Sequence, residues 1–294
     1  METDKSANAE IDIKPNASKS LSVLRSEWAD CQACELGERR VKLGGEFVFG
    51  EGTMNGIMFI GEGPGKDEEK EGRPFIGKSG KLLRDILTKL AITDHYITNI
   101  VACRSCAPIT DAEGNQIFTK GYKDKPAAPK YHDQPPNKPH IAACRRRLAE
   151  EIYLVDPVII VALGGTAVSA LRGSSASMMR DRGNVETIEI PGALDIPSLT
   201  PSGVWKRKYK GEVTYPTVQN KVRYLMLPTL HPAFVLRRAN DFSKDNPFKL
   251  LVDDIRQAAE IYNKYMLEAH GIVPGELYRE IPYELLKKDE EDSE

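Results

Sequence analysis

The chain has 294 residues, 40% apolar and 29% charged, so it is long enough for one well-buried domain with additions and has the balance of an ordinary soluble globular protein. A formal net charge of −2 excludes a chain-wide basic footprint, and any nucleic-acid contact must come from a local basic surface. No apolar run approaches the roughly 18 residues of a membrane span and the first twenty residues lack a signal peptide's apolar stretch, which predicts a cytoplasmic chain with no membrane partner, whose five cysteines serve metal or redox chemistry rather than disulfides.

Residues 1–20, polar and mixed in charge, are expected to be a disordered tail, followed by one domain over 21–268. Cys31 and Cys34 form a Cys-x-x-Cys pair. A first buried strand is expected at Ile57–Ile60 and a second at Tyr96–Ala102. Between them Ser79 can cap a helix that places Leu82, Leu83, Ile86, Leu87 and Leu90 on one face. Residues 108–139, with six prolines and two glycines, read as a long surface excursion. A helix follows from about His140 to Leu154, then a strand at Val158–Leu163 and a helix after Gly165. Residues 190–222 read as a second long loop with a hairpin around Gly211. The fourth strand is Tyr224–Leu227 and the last helix spans about Pro247 to Met266. Residues 269–294 form a C-terminal extension whose charge run from Lys287 reads as a solvated acidic tail. Alternating strands and helices predict an α/β fold, a three-layer α/β/α arrangement around a four-stranded mostly parallel sheet.

In such a sheet ligands bind beyond the carboxyl ends of the strands, and each expected strand is followed there by an unusual sequence. Gly61-Glu62-Gly63-Pro64-Gly65 follows the first; it lets backbone amides approach a ligand, although a tight turn uses the same residues. The second strand contains Asn99 and leads to Cys103. Gly164-Gly165-Thr166 follows the third and His231-Pro232-Ala233-Phe234 the fourth. Phe75, between turn formers, fits either a core plug or a platform for a flat base. His231 fits either a structural hydrogen-bonder or a donor to an oxygen that gains negative charge. Arg237 and Arg238 sit where phosphate contacts would be useful, while Arg145–Arg147 read as a solvated helix face. Four cysteines from distant segments suit a [4Fe–4S] cluster or zinc. Cys144 lies on an apolar helix stripe, and Cys106 pairs with Cys103 as a second Cys-x-x-Cys, so the set Cys31, Cys34, Cys103 and Cys106 stays open as a zinc site.

Taken in order, Cys31-Gln32-Ala33-Cys34, GEGPG at 61–65, GRPFIGKSGKLL at 72–83, ITNIVACR at 97–104, IAACRRRL at 141–148, VIIVALGGTAVSAL at 158–171 and HPAFVLR at 231–237 resemble family 4 uracil-DNA glycosylases, including related domains of some phage DNA-synthesis proteins. The resemblance implies a four-stranded parallel α/β/α domain that flips uracil out of DNA and hydrolyses its N-glycosidic bond, a base excision repair activity, acting as a monomer. It implies that Phe75 stacks on uracil, Asn99 reads its Watson–Crick edge, His231 stabilises charge on uracil O2, and Glu62 positions water or stabilises the sugar cation. Glu68 falls at a supporting acid, amides around Gly61 and Gly63 complete the pocket, and Phe234 to Leu236 occupy the DNA wedge. Its cluster ligands map onto Cys31, Cys34, Cys103 and Cys144. Forty residues separate the last two, far more than in most members, and residues 108–139 account for the excess. Residues 66–80 contain no histidine, which favours hydrolysis over a covalent adduct on the abasic sugar. The competing reading is a weak or inactive uracil- or DNA-binding module serving replication, with replication proteins as partners.

Overall fold

Two periodicities decide the architecture. The central strands are apolar at successive positions, because both of their faces meet helices, and the helices carry one apolar stripe each. The structure, a computed structural model, describes residues 20–120, 127–191, 207–209, 212–214, 221–238 and 246–271. The expected N-terminal tail, nearly all of the C-terminal extension and much of 190–222 lie outside the described residues.

Helices α1 (Leu21–Trp28) and α2 (Glu35–Leu43) come first, then strands β1 (Glu51–Gly52) and β2 (Ile57–Gly61), helices α3 (Lys66–Glu71) and α4 (Lys78–Lys89), and strand β3 (His95–Asn99). Two short strands, β4 (Cys106–Pro108) and β5 (Tyr131–Asp133), precede helix α5 (Lys138–Val155), strand β6 (Ile159–Leu163), helices α6 (Gly165–Arg172) and α7 (Met178–Asp181), and strand β7 (Glu186–Pro191). Strands β8 (Arg207–Tyr209) and β9 (Glu212–Thr214) pair antiparallel, which is the hairpin expected around Gly211. Strand β10 (Lys221–Thr229) and helices α8 (Pro232–Arg237) and α9 (Pro247–His270) close the described fold.

The main sheet has six strands in the order β1-β3-β2-β6-β10-β7, which corrects the expected four. The four expected strands, β3, β2, β6 and β10, are the parallel ones; β1 and β7 add to the edges antiparallel. A two-residue β1 carries almost no pattern to read. On β7 only alternate residues, Ile188 and Ile190, are buried, as befits an edge. The second strand stops at Asn99 rather than Ala102. Ile60, Tyr96, Ile160 and Met226 pack on one face with Leu148, Ile152 and Val168; Phe59, Ile97, Val161 and Leu227 pack on the other with Leu83, Ile86, Leu251 and Ile255. The three layers are as expected.

Helix α4 is capped by Gly77, not by Ser79, which lies inside it. Helix α5 begins at a capping box in which the Asn137 side chain accepts from the His140 N–H (2.9 Å) and His140 Nδ1 accepts from the Asn137 N–H (3.2 Å). The 108–139 excursion is not structureless: β4 and β5 pair, and bridges at Thr110–Gln116 and Phe118–Pro129 extend them. Among the described residues no helix is long and apolar enough to cross a membrane.

From β2 the chain adds β3 on one side, while β6 lies on the other. The sheet therefore has a switch point between β2 and β6, where the loops after parallel strands diverge and leave a crevice.

Candidate active site

The carboxyl ends of β2, β3, β6 and β10 bring Gly61, Asn99, Gly164 and His231 to one rim. Gly61 is where the crowding is greatest. A Cβ there would collide with the Phe75 ring and lie 2.6 Å from Asn99 Oδ1. Only glycine allows these two side chains to approach the backbone together. Phe75 has a left-handed backbone (φ 54°), a conformation that costs an aromatic residue roughly 1–3 kcal/mol and must be imposed by its surroundings. Arg84 imposes it by donating to Phe75 O (3.0 Å) and Pro74 O (2.9 Å), while itself paired with Glu51 (2.6 Å). The ring is 5% exposed and lies 6.0 Å from the His231 ring.

Glu68 ties two loops together. One oxygen accepts from the Gly65 N–H (2.9 Å) and the other from the Ile76 (3.2 Å) and Gly77 (3.1 Å) N–H groups. It acts on the pocket by holding the loops on either side of Phe75. Glu68→Ala strips three backbone donors of their acceptor and is expected to lower stability by about 2–4 kcal/mol, with Glu68→Gln milder; urea unfolding measures both.

Asn99 is 3% exposed, and its Oδ1 is buried without a hydrogen-bond partner among the described residues. Such an atom is costly unless something else satisfies it. Beneath it Arg147 donates to Asn99 O (2.7 Å) and Ile100 O (2.9 Å). Arg147 is fully buried, which corrects its place on a solvated helix face; Arg145 is exposed and Arg146 half-buried.

His231 caps α8, its Nδ1 accepting from the Ala233 N–H (3.1 Å). That bond puts the proton of the neutral ring on Nε2. Burial, then the positive charge of Arg237, pulls the imidazole down to about 4, so the ring is a neutral donor at physiological pH. Across the switch point the Thr166 hydroxyl donates to Glu62 Oε2 (2.5 Å), joining the loops after β2 and β6. Gly63 lies against Val101, where a Cβ would approach to 2.8 Å. Phe234 and Leu236 are half-buried against the core, while Arg237 and Arg238 are exposed, with the Arg238 guanidinium 5.8 Å over the Phe234 ring.

A second site lies behind this rim. Cys31, Cys34, Cys103 and Cys144 line one small cavity with Phe47, Val101 and His140. Cys106 is not part of it: its sulfur accepts from Arg39 beside Arg104, Glu69 and Asp133, in the ion-pair network at the base of the β4–β5 excursion. Burial pushes the Cys31, Cys34 and Cys103 thiols up, Cys103 to about 12, and negative charge on Cys144 raises each further. Among the described residues no three His, Cys, Asp or Glu side chains converge on one point.

Thus Gly61, Phe75, Asn99 and His231 come together, Glu62 follows Gly61 in the chain with its side chain held by Thr166, and Glu68 acts from outside. Sequence reasoning missed Arg84, Thr166 as the partner of Glu62, and Arg147. Only the GGT segment after β6 carried a signal for any of these. A family model described as the uracil DNA glycosylase superfamily matches residues 49–256. The chain is 29% identical over 249 residues to a protein named type-4 uracil-DNA glycosylase from Thermotoga maritima, covering 83% of this chain and 95% of that one. A protein of the same name from Sulfurisphaera tokodaii is 28% identical over 250 residues, covering 82% of this chain and 84% of that one.

Proposed function

The chain belongs to the uracil DNA glycosylase superfamily, and on that premise we propose that it hydrolyses the N-glycosidic bond of flipped-out uracil in DNA, leaving an abasic site for base excision repair. The observation that carries this reading is the buried Asn99 Oδ1, without a hydrogen-bond partner among the described residues, beside Phe75 and Gly61. A pyrimidine N3–H would supply its missing donor. Uracil carries that proton and cytosine does not, so the same atom selects between them.

The chemistry follows from charge. As the C1′–N1 bond breaks, its electron pair moves onto the uracil ring and the sugar becomes cation-like. His231 Nε2–H is the donor for O2, and a neutral donor in a water-poor site stabilises that charge without proton transfer. The role left for Glu62, one oxygen held by Thr166, is on the sugar, where a carboxylate favours the cation and orients the water that adds to C1′. Phe75 stacks on the base. Phe234 and Leu236 enter the duplex, and Arg237 and Arg238 meet phosphates.

For the cysteine cavity the donor set is four thiols, and burial raises three of them, Cys31, Cys34 and Cys103. Residues Cys31, Cys34, Cys103 and Cys144 fit a [4Fe–4S] cluster, which takes one thiolate per iron and spreads its sulfurs, better than zinc, which draws four onto one ion. When bound it supplies a clasp between α2, the segment after β3, and α5.

Purified protein incubated with a labelled single-uracil oligonucleotide, followed by alkali and a gel, tests the activity. Cleavage supports it; intact DNA with retained binding favours the binding module. The pH profile is a second test. Free histidine titrates near 6.5 and His231 near 4. The unfolded chain therefore binds more protons between these values. Stability from this group is complete above the unfolded value and falls as pH drops through the window. Single-turnover excision is expected to be level from neutral pH down to about 5 and to fall through about 4 as the ring gains charge.

A further inference from the structure

We propose that Arg147 is a positioning residue through which the cysteine cavity sets the geometry of the strand end carrying Asn99, so that metal-loaded and metal-depleted protein present different pockets. The inference rests on Asn99 as the base-reading residue.

Helix α5 carries Cys144 and Arg147 three residues apart, hence on one face. Cys144 lines the cavity, and its sulfur lies close enough to Arg147 to act on its charge. Arg147 is 0% exposed and spends its donors on the end of β3: one terminal nitrogen reaches Asn99 O and Ile100 O, the other Thr98 Oγ1 (3.3 Å) and Glu151 (2.5 Å). Glu151 in turn accepts from the Gly50 N–H, the Tyr96 hydroxyl and the Thr98 hydroxyl, each at 2.9 Å. The carbonyl side of the strand end is thus gripped by α5.

Its amide side is joined to the pocket. Ile100 N–H donates to Gly61 O (2.9 Å) and Val101 N–H to Glu62 O (3.3 Å). Val101 also lines the cysteine cavity, and Cys103 follows two residues on. Asn99 therefore sits at one end of a five-residue segment with a cysteine of the cavity at the other, and Arg147, reaching in from α5, holds the Asn99 end through Asn99 O and Ile100 O. A planar guanidinium whose two terminal nitrogens reach different acceptors at once does this; the single ammonium of lysine does not.

The test uses full-length protein and amide hydrogen exchange at Ile100 and Val101. It compares wild type with and without its iron, Arg147→Lys, and the double variant Arg147→Met/Glu151→Gln, which leaves no unpaired buried charge. Iron removal from wild type is expected to speed exchange at these two amides by about tenfold or more, with those of β6 unchanged. Both variants should show the same acceleration while retaining iron, and removing that iron should add little. Their kcat for uracil excision should fall about tenfold at unchanged KM. Wild-type protection in iron-loaded variants would overturn the proposal. So would equal acceleration on iron removal with and without Arg147, or equal acceleration throughout β6. A wild-type protein that leaves uracil in place refutes the functional reading without touching the exchange result.

Discussion

His231→Ala is expected to lower single-turnover uracil excision by about 10²–10³-fold, roughly 3–4 kcal/mol of transition-state stabilisation, the usual cost of removing one donor from a developing oxyanion. The reasoning starts from the tautomer. The Ala233 N–H occupies Nδ1, so a neutral ring has one donor left. Burial disfavours the imidazolium, which leaves that donor neutral. Alanine removes it along with the cap of a six-residue helix, which costs about 1 kcal/mol of local stability. Asn99→Ala should fall by a similar factor, with the double variant well short of the product, because both groups act on one transition state. DNA affinity at fixed salt should change little in either, since neither residue is on the phosphate-facing surface. A gel of alkali-cleaved product gives the rates and fluorescence anisotropy the affinity. Wild-type excision in both variants would sink the assignment of the site.

Cys144→Ser is expected to reduce bound iron from about four per chain to near zero, whereas Cys106→Ser keeps it. The two cysteines have different neighbours: Cys144 shares a cavity with Cys31, Cys34 and Cys103, and Cys106 shares an ion-pair network with Arg39 and Glu69. Because binding requires thiolates and a folded cavity, its free energy is folding free energy, and the Cys144 variant should also unfold at a temperature several degrees lower. Elemental analysis of freshly purified protein decides it. Iron lost from Cys106→Ser and kept by Cys144→Ser would move the site to the two Cys-x-x-Cys pairs. One zinc per chain in wild type would replace the cluster.

The sequence by itself determined what depends on local pattern. Uninterrupted apolar runs at Ile57–Ile60 and Val158–Leu163 read as strands covered on both faces, and their alternation with amphipathic helices implied three layers. Special residues at strand ends then had to share a rim, because parallel strands end on the same side. That is why Gly61, Asn99 and His231 could be placed on one rim from the sequence, while Phe75, in the loop between α3 and α4, stayed open between core plug and base platform until the resemblance gave it a role. The family carried the roles assigned to them. Local pattern did not reach β1, β7 or the true cap of α4, since two-residue pairing and a glycine cap carry little signal.

Tertiary structure decided everything that depends on contacts between distant segments. The run Arg145–Arg147 reads as basic surface, yet its last arginine is fully buried, its charge met by Glu151 and its two terminal nitrogens by Glu151, Thr98 and two strand-end carbonyls. Thr166 becomes the partner of Glu62 only at the switch point between β2 and β6. The resemblance had already put Cys144 ahead of Cys106; what the structure adds is that Cys106, on β4 with Arg39 and Arg104 beside it, stands apart from the cavity that the other four cysteines line. Periodicity records which face of an element is buried; it is the packing of elements far apart in sequence that says against what.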